Sequence, residues 1–398
     1  MIEMRGYLRE DGRKGIRNIV AVGYLVECAH HVAREIAIPF REDGVHVIGF
    51  PGCYPNDYAA RMMERLCTHP NVGAVLLVSL GCESFNKYAL ERAVRASGRA
   101  VKTIVIQAAG GTRSSIAEGR AFIEEQRALL DAAPTVPMEP GELVIGTVCG
   151  GSDGTSGISG NPAAGRAFDL FVSEGAACIF EETGELIGCE HIMAARAETP
   201  ALGAELEASV AKAARYYATL GYGSFAAGNA DGGLSTIEEK SMGAYAKSGT
   251  SAISGLIKPG DVPPRGGLYL LDVVPDGEVR FGFPNINDNA EIAELIACGS
   301  HVVLFVTGRG SVVGSAISPV VKICANPETF RRMEDDMDVD AGRILEGRAG
   351  LAEVGQEIHD LVLGLAAGGR TKSEELGHQE FILTYKSFEP IGPACLPA

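Results

Sequence analysis

The sequence contains no tryptophan, and only 6% of its 398 residues are aromatic. It has no apolar run long enough to cross a membrane, and its first residues, MIEMRGYLREDGRKGIRN, lack the apolar core of a secretory signal. Basic residues are scarce as well, because 35 Lys and Arg stand against 51 Asp and Glu, which gives a formal net charge of -16. These shortages argue against a membrane protein, a secreted protein and a nucleic-acid-binding protein, and they predict a cytoplasmic location.

Glycine, in contrast, is abundant, with 51 residues, and much of it lies between apolar runs and stretches of helical periodicity. Short apolar runs at residues 18–22, 45–50, 73–80 and 101–106 alternate with such stretches, which is the pattern of βαβ units. A second block of the same alternation begins near residue 143. The sequence therefore predicts an α/β fold of Rossmann-like domains with parallel sheets, arranged as two related halves.

A proline-rich stretch separates the two blocks. Residues 131–141 read DAAPTVPMEPG, a composition that favours turns and linkers over regular structure. We therefore expect an N-terminal α/β domain over residues 1–135 and a C-terminal α/β domain, with most of the candidate site residues, over residues 142–398.

The stretch from Cys149 to Gly165, CGGSDGTSGISGNPAAG, follows an apolar strand and consists almost wholly of small and polar residues. Glycine allows the backbone to approach a ligand closely, and Pro162, with Asn161 as the expected N-cap, predicts a helix that begins there. A helix N-terminus offers unpaired N–H groups to an anion, so Ser152, Asp153 and Asn161 are candidates for substrate binding. The alternative is an ordinary loop with a buried structural cysteine.

Three of the ten cysteines share one sequence context. Cys53, Cys82 and Cys149 each follow an apolar strand within a few residues, next to glycine. In a parallel sheet these loops would converge at one edge, where three thiolates with an open fourth position suit iron, zinc or an iron–sulfur cluster. The other cysteines are interpreted as packing residues in a reducing compartment. The alternative for the three is that they are unrelated buried thiols.

Candidates for acid–base catalysis follow the strand at residues 176–180 and a later glycine-rich loop. Glu182 and Glu190 lie just beyond the strand, and His191 follows Glu190 directly. Lys240 lies on a helix behind the loop, and a partly desolvated lysine can serve as a base. For each of the four residues the alternative is a surface ion pair or a packed side chain.

Two arginines are candidates for holding an anionic group of a substrate. Arg17 belongs to a basic cluster ahead of the first strand, and Arg309 lies in TGRGS after a strand that ends near residue 307, close to Ser311. A guanidinium binds a carboxylate or a sulfonate through two parallel hydrogen bonds. The alternative for the basic cluster is a solvated run of charges.

Several segments together resemble the altronate and galactarate dehydratase family. They are GYLREDGRKGIRN, GCES, CGGSDGTSGISGNPAAG, GGLSTIEEKSMG and TGRGSVVGSAISPVVKICAN, and the resemblance extends over nearly the whole chain. It implies a lyase that acts on a small anionic hydroxy acid and needs iron, either as Fe²⁺ or as an iron–sulfur cluster with three cysteine ligands. Long members of the family carry an extra small N-terminal domain, so the resemblance also implies a small alpha subunit as a partner, within an oligomer.

Two departures from the family pattern bear on the substrate. Gly49-Phe50-Pro51 stands where sugar-acid dehydratases carry a histidine before the first cysteine, and the loop over residues 228–233 is shorter than theirs. The segments FPGCYPND and YLVECAHHVAREI instead resemble the large subunit of enzymes that release sulfite from sulfolactate and leave pyruvate. We therefore expect this carbon–sulfur β-elimination, with a sugar-acid dehydratase as one alternative and a non-catalytic α/β binding protein as another.

Overall fold

The computed structural model describes residues 3–221, 223–276, 287–384 and 386. Within this part of the chain helices alternate with strands, and two of the three sheets are entirely parallel, so the predicted α/β fold with parallel sheets is confirmed. None of the described helices is both long and apolar enough to span a membrane. The end of the C-terminal domain expected at residues 142–398 lies outside the described residues.

The strands and helices follow in chain order. The strands are β1 (Met4–Leu8), β2 (Lys14–Gly15), β3 (Ile19–Tyr24), β4 (Val45–Gly49), β5 (Val72–Ser79), β6 (Ala100–Val105), β7 (Val136–Met138), β8 (Val144–Cys149), β9 (Ala177–Phe180), β10 (Ile253–Ile257), β11 (Gly267–Leu271), β12 (Val302–Thr307), β13 (Val320–Cys324) and β14 (Val339–Asp340). The helices are α1 (Glu27–Ala37), α2 (Asp57–Cys67), α3 (Lys87–Ala96), α4 (Thr112–Asp131), α5 (Gly160–Ser173), α6 (Glu190–Ala195), α7 (Pro200–Leu220), α8 (Ile237–Tyr245), α9 (Asp288–Ala297), α10 (Pro327–Arg332), α11 (Leu351–Ala366) and α12 (Lys372–Glu375).

The first parallel sheet has the strand order β4-β3-β5-β6. Its strand β5 is buried along its whole length, which explains why its sequence is apolar without alternation. Ala29 of α1 and Ile123 of α4 belong to the apolar core on one face, and Met62 of α2 and Leu90 of α3 belong to the core on the other face. The core on the face covered by α2 and α3 also includes residues of the second sheet, among them Phe305 of β12.

The second parallel sheet has seven strands in the order β10-β11-β9-β8-β12-β13-β14. Strand β8 lies at its centre and pairs in parallel with β9 on one side and β12 on the other. The carboxyl ends of these central strands are where ligands gather in open α/β sheets. Cys149 is the last residue of β8 and therefore lies at this edge.

A small antiparallel sheet joins the chain start to the proline-rich stretch between the two blocks. Strand β1 pairs with β2 on one edge and with β7 on the other. The stretch expected to be a linker thus contributes the edge strand β7, in which Pro137 is tolerated because an edge strand leaves N–H positions unpaired.

Buried polar side chains form hydrogen bonds between the block before the proline-rich stretch and the block after it. The amide oxygen of Asn71 accepts a hydrogen bond from the N–H of Ile16 at 2.9 Å, and its amide nitrogen donates to the hydroxyl of Ser318 at 3.1 Å. His301 accepts at Nδ1 from the N–H of Val144 at 3.0 Å and donates from Nε2 to the carbonyl of Lys14 at 2.8 Å. This pattern requires the neutral imidazole, because the protonated ring carries a hydrogen on both nitrogens and could not accept the bond from Val144.

We predict that acid destabilises the protein partly through His301. Burial lowers the pKa of His301 from 6.5 to about 4, and burial also lowers the pKa of the neighbouring His69. Between pH 4 and pH 6.5 the folded chain therefore binds fewer protons than the unfolded chain. The contribution of the neutral His301 to stability is complete above pH 6.5 and is lost as the pH falls through 4. The contribution of His301 amounts to at most about 3 kcal/mol.

Thermal unfolding midpoints measured from pH 7.5 to pH 4 test this prediction. The thermal midpoint of the wild type should fall on acidification. It should fall less in His301→Gln, because an amide does not titrate between pH 7.5 and pH 4. His191→Gln is the matched control, because His191 is exposed and should leave the pH dependence unchanged. An identical pH dependence in the wild type and His301→Gln would contradict the assignment.

Candidate active site

A thiol and two carboxylates meet at the carboxyl ends of two adjacent central strands. Cys149 ends β8, and Glu182 and Glu185 follow β9 directly. The Sγ atom of Cys149 lies 3.2 Å from Oε2 of Glu182 and 3.6 Å from Oε2 of Glu185. The backbone N–H of Cys149 donates to Oε2 of Glu182 at 3.0 Å, so the strand end itself orients this carboxylate.

Glu182 adopts a backbone conformation that is unfavourable for a residue with a side chain. Its φ angle is +78°, and among the described residues it is the only non-glycine residue with a positive φ. Such a conformation costs about 1–3 kcal/mol and persists where the surroundings fix it, most often at functional sites. Here it directs the chain from β9 into a short 3₁₀ helix, Thr183–Leu186, and brings the Glu182 carboxylate to Cys149.

Two lysines complete the group from the opposite side. The Nζ atom of Lys240, on α8, lies 2.7 Å from Oε2 of Glu185 and 3.2 Å from Sγ of Cys149. The Nζ atom of Lys247 forms an ion pair with Glu182 and lies 3.3 Å from the same Sγ. Each residue of this set is less than a tenth exposed, and we call the set the Cys149 cluster: Cys149, Glu182, Glu185, Lys240 and Lys247.

The ionisation of Lys240 follows from its neighbours. Burial alone would lower its pKa, but the Cys149 sulfur and the Glu185 carboxylate outweigh this effect and raise the pKa above its usual value. The sequence predicted a lysine that is a base because it is desolvated, whereas the structure places two acidic groups beside it that favour the ammonium form. Burial raises the pKa of Glu185, and Lys240 offsets part of that rise.

The donor atoms of Cys149, Glu182 and Glu185 all lie within 4.8 Å of one another, and no other such group of three occurs in the described part of the chain. This spacing, and the combination of a thiolate with two carboxylates, suit a divalent transition metal such as Fe²⁺ or Zn²⁺. The donor chemistry therefore fits a metal ion, which would replace contacts that these atoms make with Lys240 and Lys247.

The other two predicted thiol ligands lie outside this group. Cys53 and Cys82 are exposed, on the loops that follow β4 and β5. The two loops touch, because the N–H and the hydroxyl of Ser84 donate to the carbonyl of Cys53 at 3.0 and 2.7 Å. Among the described residues neither thiol joins Cys149 in a three-ligand group. The three-cysteine iron site stays a prediction.

The cavity beside the Cys149 cluster has a volume of about 360 Å³. A second cavity, of about 380 Å³, lies elsewhere, near Arg17. The wall of the cavity beside the cluster includes Ser152, Asn161 and Lys240, and Lys240 donates to the hydroxyl of Ser152 at 3.0 Å. A volume of this size is typical of small-molecule sites. The cluster is thus connected through Lys240 to a space that can hold a small acid.

The loop after Cys149 uses most of its predicted anion-binding groups internally. Helix α5 begins at Gly160 with Ser159 as its N-cap, so the predicted start at Pro162 with Asn161 as the cap is wrong by two residues. The N–H of Asn161 donates to the carbonyl of Ser156 at 2.9 Å, and Pro162 has no N–H to offer. Asp153 braces the loop, because its carboxylate accepts from the N–H of Thr155 and from Asn326, both at 2.9 Å.

The predicted anion-binding arginines are engaged elsewhere. Nε of Arg17 donates to Glu374 at 2.7 Å, and its guanidinium also donates to backbone carbonyls. Arg309 is exposed and its guanidinium donates to the carbonyl of Gly228. The hydroxyl of Ser311 accepts from the N–H of Val313 at 3.2 Å. None of these contacts reaches the Cys149 cluster.

Glu190 and His191, at the start of α6, also lie apart from the cluster. Glu190 accepts a hydrogen bond from the N–H of Gly188 at 3.0 Å, and His191 is exposed. Of the four acid–base candidates, the structure brings together Lys240 and Glu182 and leaves Glu190 and His191 outside.

Sequence reasoning missed Lys247 and Asp288. Lys247 lies in a 3₁₀ turn after α8, seven residues beyond Lys240, and this spacing of about two helical turns was the available signal. Asp288 begins α9 and lies so close to Gly150 that a Cβ there would be 2.2 Å from its Oδ2. Burial and then Glu185 raise the pKa of Asp288 to about 6. In sequence it is indistinguishable from an ordinary acid in the first turn of a helix.

Two family models match the chain. The model described as "D-galactarate dehydratase/Altronate hydrolase, second domain" matches residues 6–131, and "D-galactarate/Altronate dehydratase, C-terminal" matches residues 141–388. The resemblance found in the sequence is therefore confirmed.

Among curated proteins, the chain is similar to the (2R)-sulfolactate sulfo-lyase subunit beta of Chromohalobacter salexigens, with 32% identity over 95% of this chain and 96% of that protein. It is 29% identical to the altronate dehydratase of Escherichia coli, over 96% of this chain and 77% of that protein. It is also 30% identical to the galactarate dehydratase (L-threo-forming) of Escherichia coli, over 80% of this chain and 61% of that protein. These relatives are lyases.

We predict that Gly165→Ala disturbs the Cys149 cluster. Gly165 of α5 packs against the turn that carries Lys247, and a Cβ there would lie 2.3 Å from the carbonyl oxygen of Ala246 and 2.6 Å from the nitrogen of Gly249. Overpacking of this kind costs about 1–3 kcal/mol. The thermal midpoint should fall, and alkylation of Cys149, mapped by mass spectrometry, should become faster as the turn moves away.

Gly364→Ala on α11 is the matched control, because a Cβ at Gly364 would meet nothing within 4 Å. This change should be neutral or slightly stabilising, and it should leave the alkylation of Cys149 unchanged. Equal effects of the two substitutions would show that the close packing of Gly165 does not hold the turn.

Proposed function

Since the chain belongs to the D-galactarate/altronate dehydratase family, we propose that it catalyses a β-elimination next to a carboxylate and that its substrate is (2R)-sulfolactate. The observation that carries the proposal is the buried Cys149 cluster, with its two ammonium groups, beside a cavity of about 360 Å³. The sulfo-lyase relative, which is matched over 96% of its own length, is named as a beta subunit, so we also propose a small alpha subunit as the partner.

The reaction breaks two bonds of the substrate. The proton on C2, next to the carboxylate, passes to a base, and the C2–H electron pair forms the C2–C3 double bond. The C3–S bond breaks as this double bond forms, and its electron pair leaves with sulfite. The resulting enol takes up a proton at C3, releases its hydroxyl proton and becomes pyruvate, with the C2 hydroxyl oxygen retained as the keto oxygen.

We assign the C2 proton to Lys240, because it is the only member of the Cys149 cluster that lines the cavity. Its neighbours favour the ammonium form, so Lys240 has to give up a proton before it acts as a base. Cys149 and Glu185, the two neighbours that favour the ammonium form, are also groups that would hold the metal, so with the metal bound they would favour it less and Lys240 would lose this proton more easily.

The leaving group favours sulfolactate over a sugar acid. Sulfite is a weaker base than hydroxide and needs less protonation as it departs. Phe50, which is fully buried and packs against Phe85 with 6.0 Å between ring centroids, occupies the region where sugar-acid dehydratases carry a histidine. A phenyl ring donates no proton, which suits a leaving group that needs less protonation than hydroxide does.

Cys149, Glu182 and Glu185 are the residues that would hold iron. When bound, the metal would supply a Lewis acid that polarises an oxygen of the substrate. Glu182 is fixed for such a role by the Cys149 N–H and by Lys247.

The first experiment is a substrate panel, run anaerobically with iron and the small subunit present. We expect (2R)-sulfolactate to give pyruvate and sulfite in equal amounts, and altronate and galactarate to give no product. Lys240→Met should reduce kcat by about 10²–10⁴-fold. Lys102→Met is the control, because Lys102 forms only a partly exposed ion pair with Glu118. Turnover of altronate without turnover of sulfolactate would make the protein a sugar-acid dehydratase.

The second experiment measures iron per chain in protein purified anaerobically. Cys149→Ser and Glu182→Gln should lose iron, and Cys53→Ser and Cys82→Ser should keep it. Cys28→Ser, a change at another exposed thiol, is the control. Loss of iron in Cys53→Ser and Cys82→Ser would instead support the three-cysteine site and contradict the thiol–carboxylate site.

A further inference from the structure

The side-chain amide of Asn161 has a hydrogen-bond partner for its nitrogen but, in the described part of the chain, none for its oxygen. The residue is 1% exposed, and its Nδ2 donates to the carbonyl of Gly243 at 2.9 Å. That bond fixes which end of the amide is which, because a carbonyl accepts only from the nitrogen end. Oδ1 is then a defined acceptor, buried and without a hydrogen-bond partner among the residues that the structure describes.

A buried acceptor without a donor lowers the stability of the folded protein, and a ligand that donates to it removes the cost. Asn161 lines the same cavity as Ser152 and Lys240. Two hydrogen bonds fix the position of Asn161, one from its backbone N–H to the carbonyl of Ser156 and one from its Nδ2 to the carbonyl of Gly243. The acceptor is therefore positioned before any ligand arrives.

The chemistry of the acceptor restricts what it can bind. Carboxylate and sulfonate oxygens carry no hydrogen and would repel Oδ1, so the group of the ligand that meets Asn161 has to be a hydrogen-bond donor. A hydroxyl is such a donor, and so is an ammonium group. Of the two donors, the hydroxyl is the one that the acids consumed by the proposed elimination carry, and the binding of an ammonium-bearing acid is tested separately below.

We propose that Oδ1 of Asn161 accepts a hydrogen bond from the C2 hydroxyl of the acid and makes the site selective for 2-hydroxy acids. The identification of the hydroxyl with C2 rests on the proposed elimination, in which the same carbon presents its hydrogen to Lys240. The hydroxyl keeps its hydrogen in the enol, so Asn161 can accept the same hydrogen bond from the substrate and from the enol, and it loses this bond when the enol becomes the keto product. This role belongs to a positioning residue with control over specificity.

Binding of unreactive acids tests the proposal without relying on turnover. Lactate, propionate and alanine share a three-carbon carboxylate and differ at C2 in carrying a hydroxyl, a hydrogen or an ammonium group. Calorimetric titration of the complete enzyme should show lactate bound at least about 10-fold more tightly than propionate. In Asn161→Leu the affinity for lactate should fall about 10–100-fold, while that for propionate changes less than about twofold.

Asn71→Ala is the matched control, because it also removes a fully buried asparagine but lies at the junction of the two blocks, away from the cavity. It should lower the thermal midpoint and keep the preference for lactate. Asn161→Ala is the second variant, for use if Asn161→Leu does not fold, and it should lose the preference in the same way.

Three results would overturn the proposal. They are equal binding of lactate and propionate by the wild type, an equal loss for both acids in the Asn161 variants, and tighter binding of alanine than of lactate. The proposed elimination can be refuted independently of the role of Asn161. An enzyme that binds lactate through Asn161 but converts neither sulfolactate nor altronate would refute the proposed reaction and leave this inference standing.

Discussion

The contacts of Lys240 with Glu185 and of Lys247 with Glu182, around the Cys149 sulfur, are the interactions on which the site depends. Taking an ion out of water costs several kcal/mol, so none of these groups could be buried alone in its charged form. Removing one partner would leave an uncompensated charge in the interior. The cluster is therefore a unit, and its position at the carboxyl ends of β8 and β9 fixes where a substrate can react.

The local structure around the cluster serves this arrangement. Glu182 keeps a left-handed backbone conformation that brings its carboxylate to the end of the neighbouring strand, and Gly165 allows α5 to approach the turn that carries Lys247. Behind the cluster lie three further buried carboxyl groups, Glu181, Glu291 and Glu294. Burial and the neighbouring acids raise the pKa of both Glu181 and Glu291 well above the usual value. The raised pKa of Glu181 and Glu291 favours their neutral forms, and Glu294 forms an ion pair with Lys386, so Lys240 and Lys247 balance chiefly the acidic groups of the Cys149 cluster itself.

Much of the architecture could be predicted from local sequence. Continuous apolar runs such as β5 and β8 gave parallel strands, and the glycine-rich stretch after Cys149 indicated the edge where the site lies. Lys240 and Glu182 were predicted because each follows an element boundary at that edge. The partner of Arg17 could not be predicted, because Glu374 is 357 residues away and only the folded chain brings the two together.

Three side chains show why sequence alone was insufficient for the site itself. Lys247 lies beyond the end of α8 in an irregular turn, Asp288 resembles any helix-start acid, and the free oxygen of Asn161 depends on a bond to Gly243. Each of these roles is defined by packing between distant segments. Local propensity and periodicity carry no information on such contacts.

The most direct test of the account is a crystal structure of the wild-type enzyme with lactate, which lacks a leaving group and cannot react. We expect lactate in the cavity beside the Cys149 cluster, with C2 roughly 3–4 Å from Nζ of Lys240. Lactate bound instead in the cavity near Arg17, with the cavity beside Lys240 containing only solvent, would contradict the claim that the cluster is the reaction centre.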